Sequence, residues 1–225
     1  MRPNFFIATF ATASMAALCA APVIAQTSTA LHAAVEQQDV VQVKALLVLP
    51  EGKSLLEARD AQGRTALLLA TVLDHNAIAE LLIHAGADVN AQDKQQDSAY
   101  LFAGARGKLP ILRLALAHGA DLRSTNRFGG TALTPAAERG HVEAVRLLID
   151  AGVDVNQVNR LGWTALLEAI ILSSGGPAHQ DIVRQLIAAG ADVNLADHDG
   201  VTPLAHAVRR GHDASAAMLR AAGAR

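Results

Sequence analysis

The sequence Gly86-Ala87-Asp88-Val89-Asn90 is repeated along this 225-residue chain with small changes. Its other copies are Gly119-Ala120-Asp121-Leu122-Arg123, Gly152-Val153-Asp154-Val155-Asn156 and Gly190-Ala191-Asp192-Val193-Asn194, and Gly223-Ala224-Arg225 is a shortened copy. The first three glycines lie 33 residues apart, and the next interval is 38 residues. A fixed step of this size indicates a fold built from similar units that stack side by side.

Helical patterns of apolar residues precede these glycines. Two units show them clearly, with Val145, Leu147, Leu148 and Ile149 in one and Ile182, Val183, Leu186 and Ile187 in the next. Such a stripe covers one face of a helix, and a single small unit cannot bury that face alone. The pattern therefore predicts an all-α fold that is stabilised by packing between neighbouring units.

Turn and capping residues occupy the same positions in successive units. A first group consists of glycines that permit a positive φ angle at a tight turn: Gly63, Gly129, Gly162 and Gly200. Two residues later come threonines whose hydroxyl group can cap a helix: Thr65, Thr131, Thr164 and Thr202. Pro203 occupies a first helical position, where its missing N–H costs little. Each unit is thus predicted to be a turn followed by two helices.

The segments Asp60-Ala61-Gln62-Gly63-Arg64-Thr65-Ala66-Leu67 and Asp197-His198-Asp199-Gly200-Val201-Thr202-Pro203-Leu204 resemble the opening of an ankyrin repeat. The resemblance implies an ankyrin-repeat solenoid of stacked helix–turn–helix units joined by β-hairpin-like loops. It covers nearly all of residues 26–225. We expect a partial repeat at 29–59, full repeats at 60–92, 93–125, 126–158 and 159–196, and a C-terminal repeat at 197–225.

The repeat at 93–125 departs most from this pattern. Gln96 replaces the turn glycine, Ser98 replaces the capping threonine, and Tyr100 replaces the usual leucine. Pro110 lies where we expect the first turn of the second helix, a position that tolerates proline. We therefore predict an ankyrin unit here as well, with a distorted first turn.

Residues 1–25 are typical of an export signal. Arg2 is their only charged residue, and an apolar or small stretch from Phe5 to Leu18 is too short for a comfortable transmembrane helix. Val23-Ile24-Ala25 fits a cleavage site, so the mature chain is expected to be residues 26–225. A buried helix is the alternative. Cys19 is the single cysteine and lies inside this segment, which suits an oxidising compartment.

The remaining composition argues against several functions. A formal net charge of −2 for the whole chain indicates no nucleic-acid binding. Most of the nine histidines lie at repeat positions, and units about 10 Å apart cannot bring them to one metal ion. Turn hydrogen bonding explains the periodic aspartates, which are Asp60, Asp93 and Asp197 at the openings and Asp88, Asp121, Asp154 and Asp192 after the helices. We expect no catalytic residues, no metal and no cofactor.

The ankyrin resemblance implies partner binding through hairpin tips and the exposed ends of first helices. The residues that this places in a binding site are Arg127, Phe128, Arg160, Leu161, Trp163, Arg209 and Arg210. Trp and Arg are common among binding hot spots. The alternative for Trp163 is that it packs across to the next hairpin.

The 38-residue interval results from an inserted segment, Leu172-Ser173-Ser174-Gly175-Gly176-Pro177-Ala178. It is predicted to lengthen the loop between paired helices, with a turn at Gly175, Gly176 and Pro177. An inserted loop on a regular stack is a candidate recognition element. A tolerated surface insertion is the alternative.

These features together favour a binding function over catalysis. The chain resembles exported bacterial ankyrin-repeat proteins, which implies a non-catalytic scaffold in the periplasm that binds and supports a protein partner. We expect a monomer that is not inserted in the membrane after cleavage. The alternatives are a secreted effector that binds host proteins and an enzyme with an unrecognised site.

Overall fold

The computed structural model describes residues 29–225, which form thirteen helices and no strand. The predicted signal peptide, residues 1–25, lies outside the described residues. The helices are α1 (29–36), α2 (Val40–Leu47), α3 (Gly52–Leu56), α4 (Ala66–Val72), α5 (Asn76–His84), α6 (Ala99–Arg106), α7 (Leu109–Ala117), α8 (Leu133–Glu138), α9 (Val142–Asp150), α10 (Ala165–Ile171), α11 (Pro177–Ala188), α12 (Pro203–Arg209) and α13 (Asp213–Ala221). Among these helices, none is both long enough and apolar enough to span a membrane.

The helices form two layers. From α4 onward they pack in consecutive pairs, and each first helix also packs on the first helix of the next unit, in the order α4, α6, α8, α10 and α12. The second helices α5, α7, α9, α11 and α13 form the other layer in the same way. One cluster of buried apolar side chains extends through the stack from Leu31 to Leu219. The predicted all-α solenoid of stacked units is therefore confirmed.

Each unit from residue 60 onward opens with a side chain that closes the hairpin tip. One carboxylate or amide oxygen accepts two backbone N–H groups, from the residues two and four positions later. The five acceptors are Asp60, Asp93, Asn126, Asn159 and Asp197, with N···O distances of 2.8–3.2 Å. The predicted turn role of the opening aspartates is confirmed, and two asparagines perform it as well.

Asparagine side chains join the loop after one second helix to the same loop of the next unit. Asn90 donates from Nδ2 to the carbonyl of Gly119 (2.9 Å) and accepts at Oδ1 from the backbone N–H of Asp121 (2.8 Å). Asn156 makes the same pair of bonds to Gly190 and Asp192 in the following unit. These bonds explain the last residue of the repeated pentapeptide, because they fix the register between neighbouring units.

The predicted caps form in every unit except one. In four units a side-chain hydroxyl oxygen accepts a hydrogen bond from the backbone N–H three residues later, at 3.2–3.3 Å. These hydroxyls belong to Thr65, Ser98, Thr164 and Thr202. The prediction for Thr131 is wrong, since α8 begins at Leu133 and the buried Oγ1 of Thr131 has no hydrogen-bond partner. Pro135 explains the difference, because it has no N–H to bond the carbonyl of Thr131 and start the helix there.

We expect opposite effects from replacing two of these threonines with valine. Thr164→Val removes a working cap and should cost about 1 kcal/mol of unfolding free energy. Thr131→Val replaces an unpaired buried hydroxyl with a methyl group, so stability should be unchanged or higher. Urea unfolding followed by circular dichroism measures both. An equal loss in the two variants would contradict this account of α8.

Candidate functional site

A cleft of about 330 Å³ lies between the hairpin tips and the first helices of three consecutive units. We call it the tip cleft. It is lined by Asp97, Phe102, Ala105, Arg106, Asn126, Arg127, Phe128, Gly130, Thr134, Pro135, Glu138, Arg139, Asn159, Leu161, Glu168 and Leu172. A second cleft of about 420 Å³ shares Asp97 and Phe102 with it and extends toward Arg64 and Lys94. The two clefts form one groove along the stack.

The apolar wall of the tip cleft consists of large side chains that are unusually exposed to solvent. Phe128 is 51% exposed, Leu161 is 52% exposed and Leu172 is 46% exposed. The guanidinium of Arg127 lies 4.6 Å from the ring centre of Phe128, and that of Arg106 lies 5.5 Å from the ring centre of Phe102. Apolar and cationic groups are thus presented together, as is common in protein-binding surfaces.

Charges of both signs line the tip cleft. The basic groups are Arg106, Arg127 and Arg139, and the acidic groups are Asp97, Glu138 and Glu168. Arg139 donates to the carbonyl of Ala105 in the preceding unit (3.1 Å) and lies 3.8 Å from Glu138. Burial raises the pKa of the Asp97 carboxyl, and the nearby Asp93 adds to the effect.

Glu168 is the least accessible charged group of the tip cleft, with 7% of its surface exposed. Its Oε1 accepts a hydrogen bond from Nδ2 of Asn159 at 2.8 Å. Burial and the neighbouring charge of Glu138 raise the pKa of Glu168 to about 7, although Asn159 and Arg139 act in the opposite direction. A carboxyl group that titrates near neutral pH at the floor of a cleft is a common feature of functional sites.

Sequence reasoning missed Glu168. The same position holds Leu69, Phe102, Pro135 and His206 in the other units, so helical periodicity assigns it to the apolar core. An available signal was the pair formed with the first residue of the unit, nine positions earlier. In the last unit this pair is Asp197 and His206, whose Oδ2 and Nε2 lie 2.7 Å apart.

The structure brings together three of the predicted site residues. Arg127, Phe128 and Leu161 line the tip cleft. Trp163 is half-buried and is outside the cleft lining. The other predicted residues outside this lining are Arg160, Gly175, Gly176, Pro177, Arg209 and Arg210.

Two predicted arginines make contacts within the stack. Arg160 donates from Nη1 to the carbonyl of Arg127 at 2.8 Å, which braces one tip against the next. Arg210 donates to the carbonyl of Ile171 in the preceding unit. Arg209 is exposed at the end of α12. Sequence position alone does not distinguish such bracing arginines from one that faces a cleft.

The inserted segment lengthens a helix as well as a loop. Helix α11 has 12 residues where α9 has nine, and Pro177 is its first residue rather than part of a turn. Gly175 adopts the positive φ angle of a glycine turn, +68°. A Cβ atom at this position would lie 2.6 Å from the ring of His212 in the next unit. The loop is longer as predicted, spanning 172–176 where the preceding unit has 139–141, but the turn predicted at Gly176 and Pro177 is instead the start of α11.

The periodic histidines link neighbouring units. A ring nitrogen of His75 lies 2.9 Å from the carbonyl oxygen of Val35, and one of His179 lies 2.9 Å from that of Glu138. His75, His141 and His212 directly precede their helices, whereas His179 lies inside α11. Within residues 29–225, no group of three or more His, Cys, Asp or Glu is arranged to hold a metal ion.

Comparison with known sequences and structures gives consistent results. A family model described as ankyrin repeats (three copies) matches residues 12–93 and 100–197. No curated protein matches the chain. The solved structure of an ankyrin repeat domain from Acinetobacter baumannii AYE is 58% identical, with a TM-score of 0.83, and the match covers 87% of this chain and 98% of that one.

Two further solved structures are similar. The ankyrin repeat protein EF0377 is 38% identical, with a TM-score of 0.79, over 84% of this chain and 96% of its own. The ankyrin repeat domain of Bcl-3, a member of the IκB protein family, is 28% identical, with a TM-score of 0.77, over 87% of this chain and 86% of its own.

We expect the two adjacent loop glycines to respond differently to substitution. Gly175→Ser places a side chain at a positive φ angle and against His212, so it should cost about 1 kcal/mol or more. Gly176→Ser should be nearly neutral, since Gly176 is the N-cap of α11, where serine is favoured. Thermal unfolding of both variants is the measurement. Equal stability of the two would show that Gly175 is not a packing position.

Glu168 should make stability depend on pH. Its ordinary pKa is 4.5 and its folded pKa is about 7, so between these values the folded chain holds a proton that the unfolded chain has released. Stability should therefore fall as pH rises from 4.5 to 7, by up to about 3 kcal/mol, and then level off. Urea unfolding across this range should show a flatter profile for Glu168→Gln. Glu143→Gln, at an exposed glutamate paired with Arg146, is the control and should keep the slope.

Proposed function

Because the chain belongs to the ankyrin-repeat family, we propose that it is a non-catalytic scaffold, exported to the bacterial periplasm, that binds and supports a protein partner. Ankyrin repeats imply protein–protein interaction. Partner binding takes place at the tip cleft, and the chain acts as a monomer. The localisation and the choice of cleft are the parts of this proposal that go beyond the family.

The observation that supports the cleft is the shared exposure of Phe128, Leu161 and Leu172. Each is about half exposed, and the three side chains, from two consecutive units, line the same cleft. Burying the exposed half of an apolar side chain of this size on binding stabilises a complex by about 1 kcal/mol. Arg127, which stacks on Phe128, adds a planar group that pairs well with carbonyl and carboxylate oxygens.

Export is supported by the sequence of residues 1–25. They combine an early arginine, a short apolar stretch and a small-residue cleavage site. The cysteine-free remainder of the chain needs no disulfide chemistry in an oxidising compartment. The similarity to a domain from a bacterium supports the bacterial assignment.

The test is cross-linking in intact bacteria that express the full chain, followed by osmotic-shock fractionation. We expect the mature chain in the osmotic-shock fluid and one protein cross-linked to it in equimolar amount. A chain found mainly in the culture medium would instead support a secreted effector. Cleavage after Ala25 is checked by the mass of the recovered protein.

The same experiment tests the cleft. The double variant Phe128→Ala and Leu161→Ala should reduce partner recovery about tenfold or more, because each apolar contact contributes about 1 kcal/mol. The control is Val41→Ala, which shortens an apolar side chain that is 78% exposed outside the cleft. Unfolding free energies of all variants should match that of the native chain. Undiminished recovery with the double variant would overturn the cleft as the binding site.

A further inference from the structure

Glu168 is a buried carboxyl group with incomplete hydrogen bonding. Asn159 supplies its one hydrogen bond, to Oε1, and the residues at 29–225 provide none to Oε2. The Oδ1 of Asn159 is already engaged by the backbone N–H groups of Leu161 and Trp163. Oε2 is not fully enclosed, and a carboxylate oxygen without a protein donor can accept one from a bound group. Glu168 lines the tip cleft, so a donor bound in the cleft can approach its carboxyl group.

A second carboxyl group stands beside it. Glu138, at the end of α8, lines the same cleft and is close enough that its charge raises the pKa of Glu168. Arg139 is the nearby cation that acts on Glu168, but its Nη1 is bonded to the carbonyl of Ala105 and its Nη2 is 3.8 Å from Glu138. Two carboxyl groups therefore share one partly engaged guanidinium. This part of the cleft favours an additional cation.

The other charged groups in and beside the cleft interact with residues other than Glu168. Arg106 is stacked on Phe102 and Arg127 on Phe128, and both act on the charge of Asp97. His206, on the neighbouring helix α12, is bonded to Asp197. None of these groups contributes to the pKa of Glu168, whose charged neighbours are Glu138 and Arg139.

The approach to the two carboxyl groups is apolar. Leu161, on the hairpin tip, and Leu172, just after α10, line the same cleft and are each about half exposed. Lysine and arginine side chains combine an aliphatic stem with a cationic end, and they cover apolar surface while the charge reaches a polar group. The cleft offers a complementary surface for both parts of such a side chain.

We propose that the tip cleft binds a lysine or arginine side chain of the protein partner, with its cationic end between Glu168 and Glu138 and its stem on Leu161 and Leu172. This proposal rests on the proposed function and names the chemistry that the partner must supply. A free divalent cation and an acidic segment that binds the three arginines are the competing occupants. Each competing occupant gives a different result in the test.

The proposal makes binding depend on pH. A cation is held by the ionised form of Glu168, and ionisation occurs as pH rises through about 7. Affinity for a basic side chain should therefore increase from mildly acidic to mildly basic pH. Binding in turn should lower the pKa of Glu168, because a nearby cation favours the charged carboxylate.

The test uses the mature chain with ¹³C-labelled glutamate side chains and three capped peptides. The probes are acetyl-Ala-Leu-Lys-Leu-Ala-amide and its analogues with norleucine or glutamate at the centre. We expect the lysine peptide to shift the carboxyl signals of Glu168 and Glu138 and to lower the pKa of Glu168. The norleucine and glutamate peptides should leave both signals in place. Shifts caused by the glutamate peptide or by Ca²⁺ alone, or no shift with lysine, would overturn the proposal.

Substitutions complete the test. Glu168→Gln keeps the size of the side chain and its acceptor for Asn159, so the fold should persist, which circular dichroism checks. At mildly basic pH this substitution should lower the affinity for the lysine peptide about tenfold, a loss typical of one ion pair in a cleft. Glu143→Gln should have no effect. Equal affinity of the lysine peptide for the native chain and Glu168→Gln would contradict the assignment.

The natural partner separates this proposal from the proposed function. In the cross-linking experiment, Glu168→Gln should reduce partner recovery while Glu143→Gln should not. A different outcome is that recovery falls with the Phe128→Ala and Leu161→Ala double variant and is unchanged by Glu168→Gln. In that case the scaffold function stands, and the proposal that the cleft binds a basic side chain is wrong. If no partner is recovered with the native chain, the proposed function itself fails.

Discussion

The structure depends on the packing of each unit on the next, which hydrogen bonds between the segments after the second helices help to keep in register. No unit can bury its apolar face alone, so the stack is stable only if neighbours keep one register. Asn90 and Asn156 set that register by bonding both a carbonyl and an N–H just after the second helix of the following unit. The walls of the tip cleft come from different units, which further bonds hold together: Arg139 donates to the carbonyl of Ala105, and Arg160 donates to that of Arg127.

Local chemistry explains why much of the fold was predictable from the sequence. The turn acceptors such as Asp60 and the caps such as Thr164 act within a few residues, so their identity and spacing are sufficient evidence. The prediction that Thr131 caps α8 was wrong because Pro135, four residues later, removes a hydrogen bond of the first turn. The start of α11 was not predicted because the sequence Gly175-Gly176-Pro177 is compatible with both a turn and a helix N-terminus. The packing of the stack decides between the two.

The candidate site was harder to predict, because exposure and partners belong to the assembled stack. Phe128 and Leu161 were identified from their positions at the tips, and they do line the cleft. Arg160 occupies the position in its unit that Arg127 occupies in the preceding one, yet it braces a neighbouring carbonyl. Glu168 looks like one member of an apolar helix in sequence. Only the packing of α8 against α10 shows that it faces a cleft beside a second carboxyl group.

The position of Glu168 has a backbone role that leaves its side chain free to vary. In four units the residue here donates its N–H to the carbonyl of the capping Thr or Ser, and these residues are Leu69, Phe102, Glu168 and His206. Even Pro135 is tolerated, at the cost of a shortened α8. Stacking therefore places little restriction on this side chain, whereas the cleft that it faces does. A carboxyl group here weakens the fold as pH rises toward neutral, and the proposed binding of a basic side chain gives that carboxyl group a function.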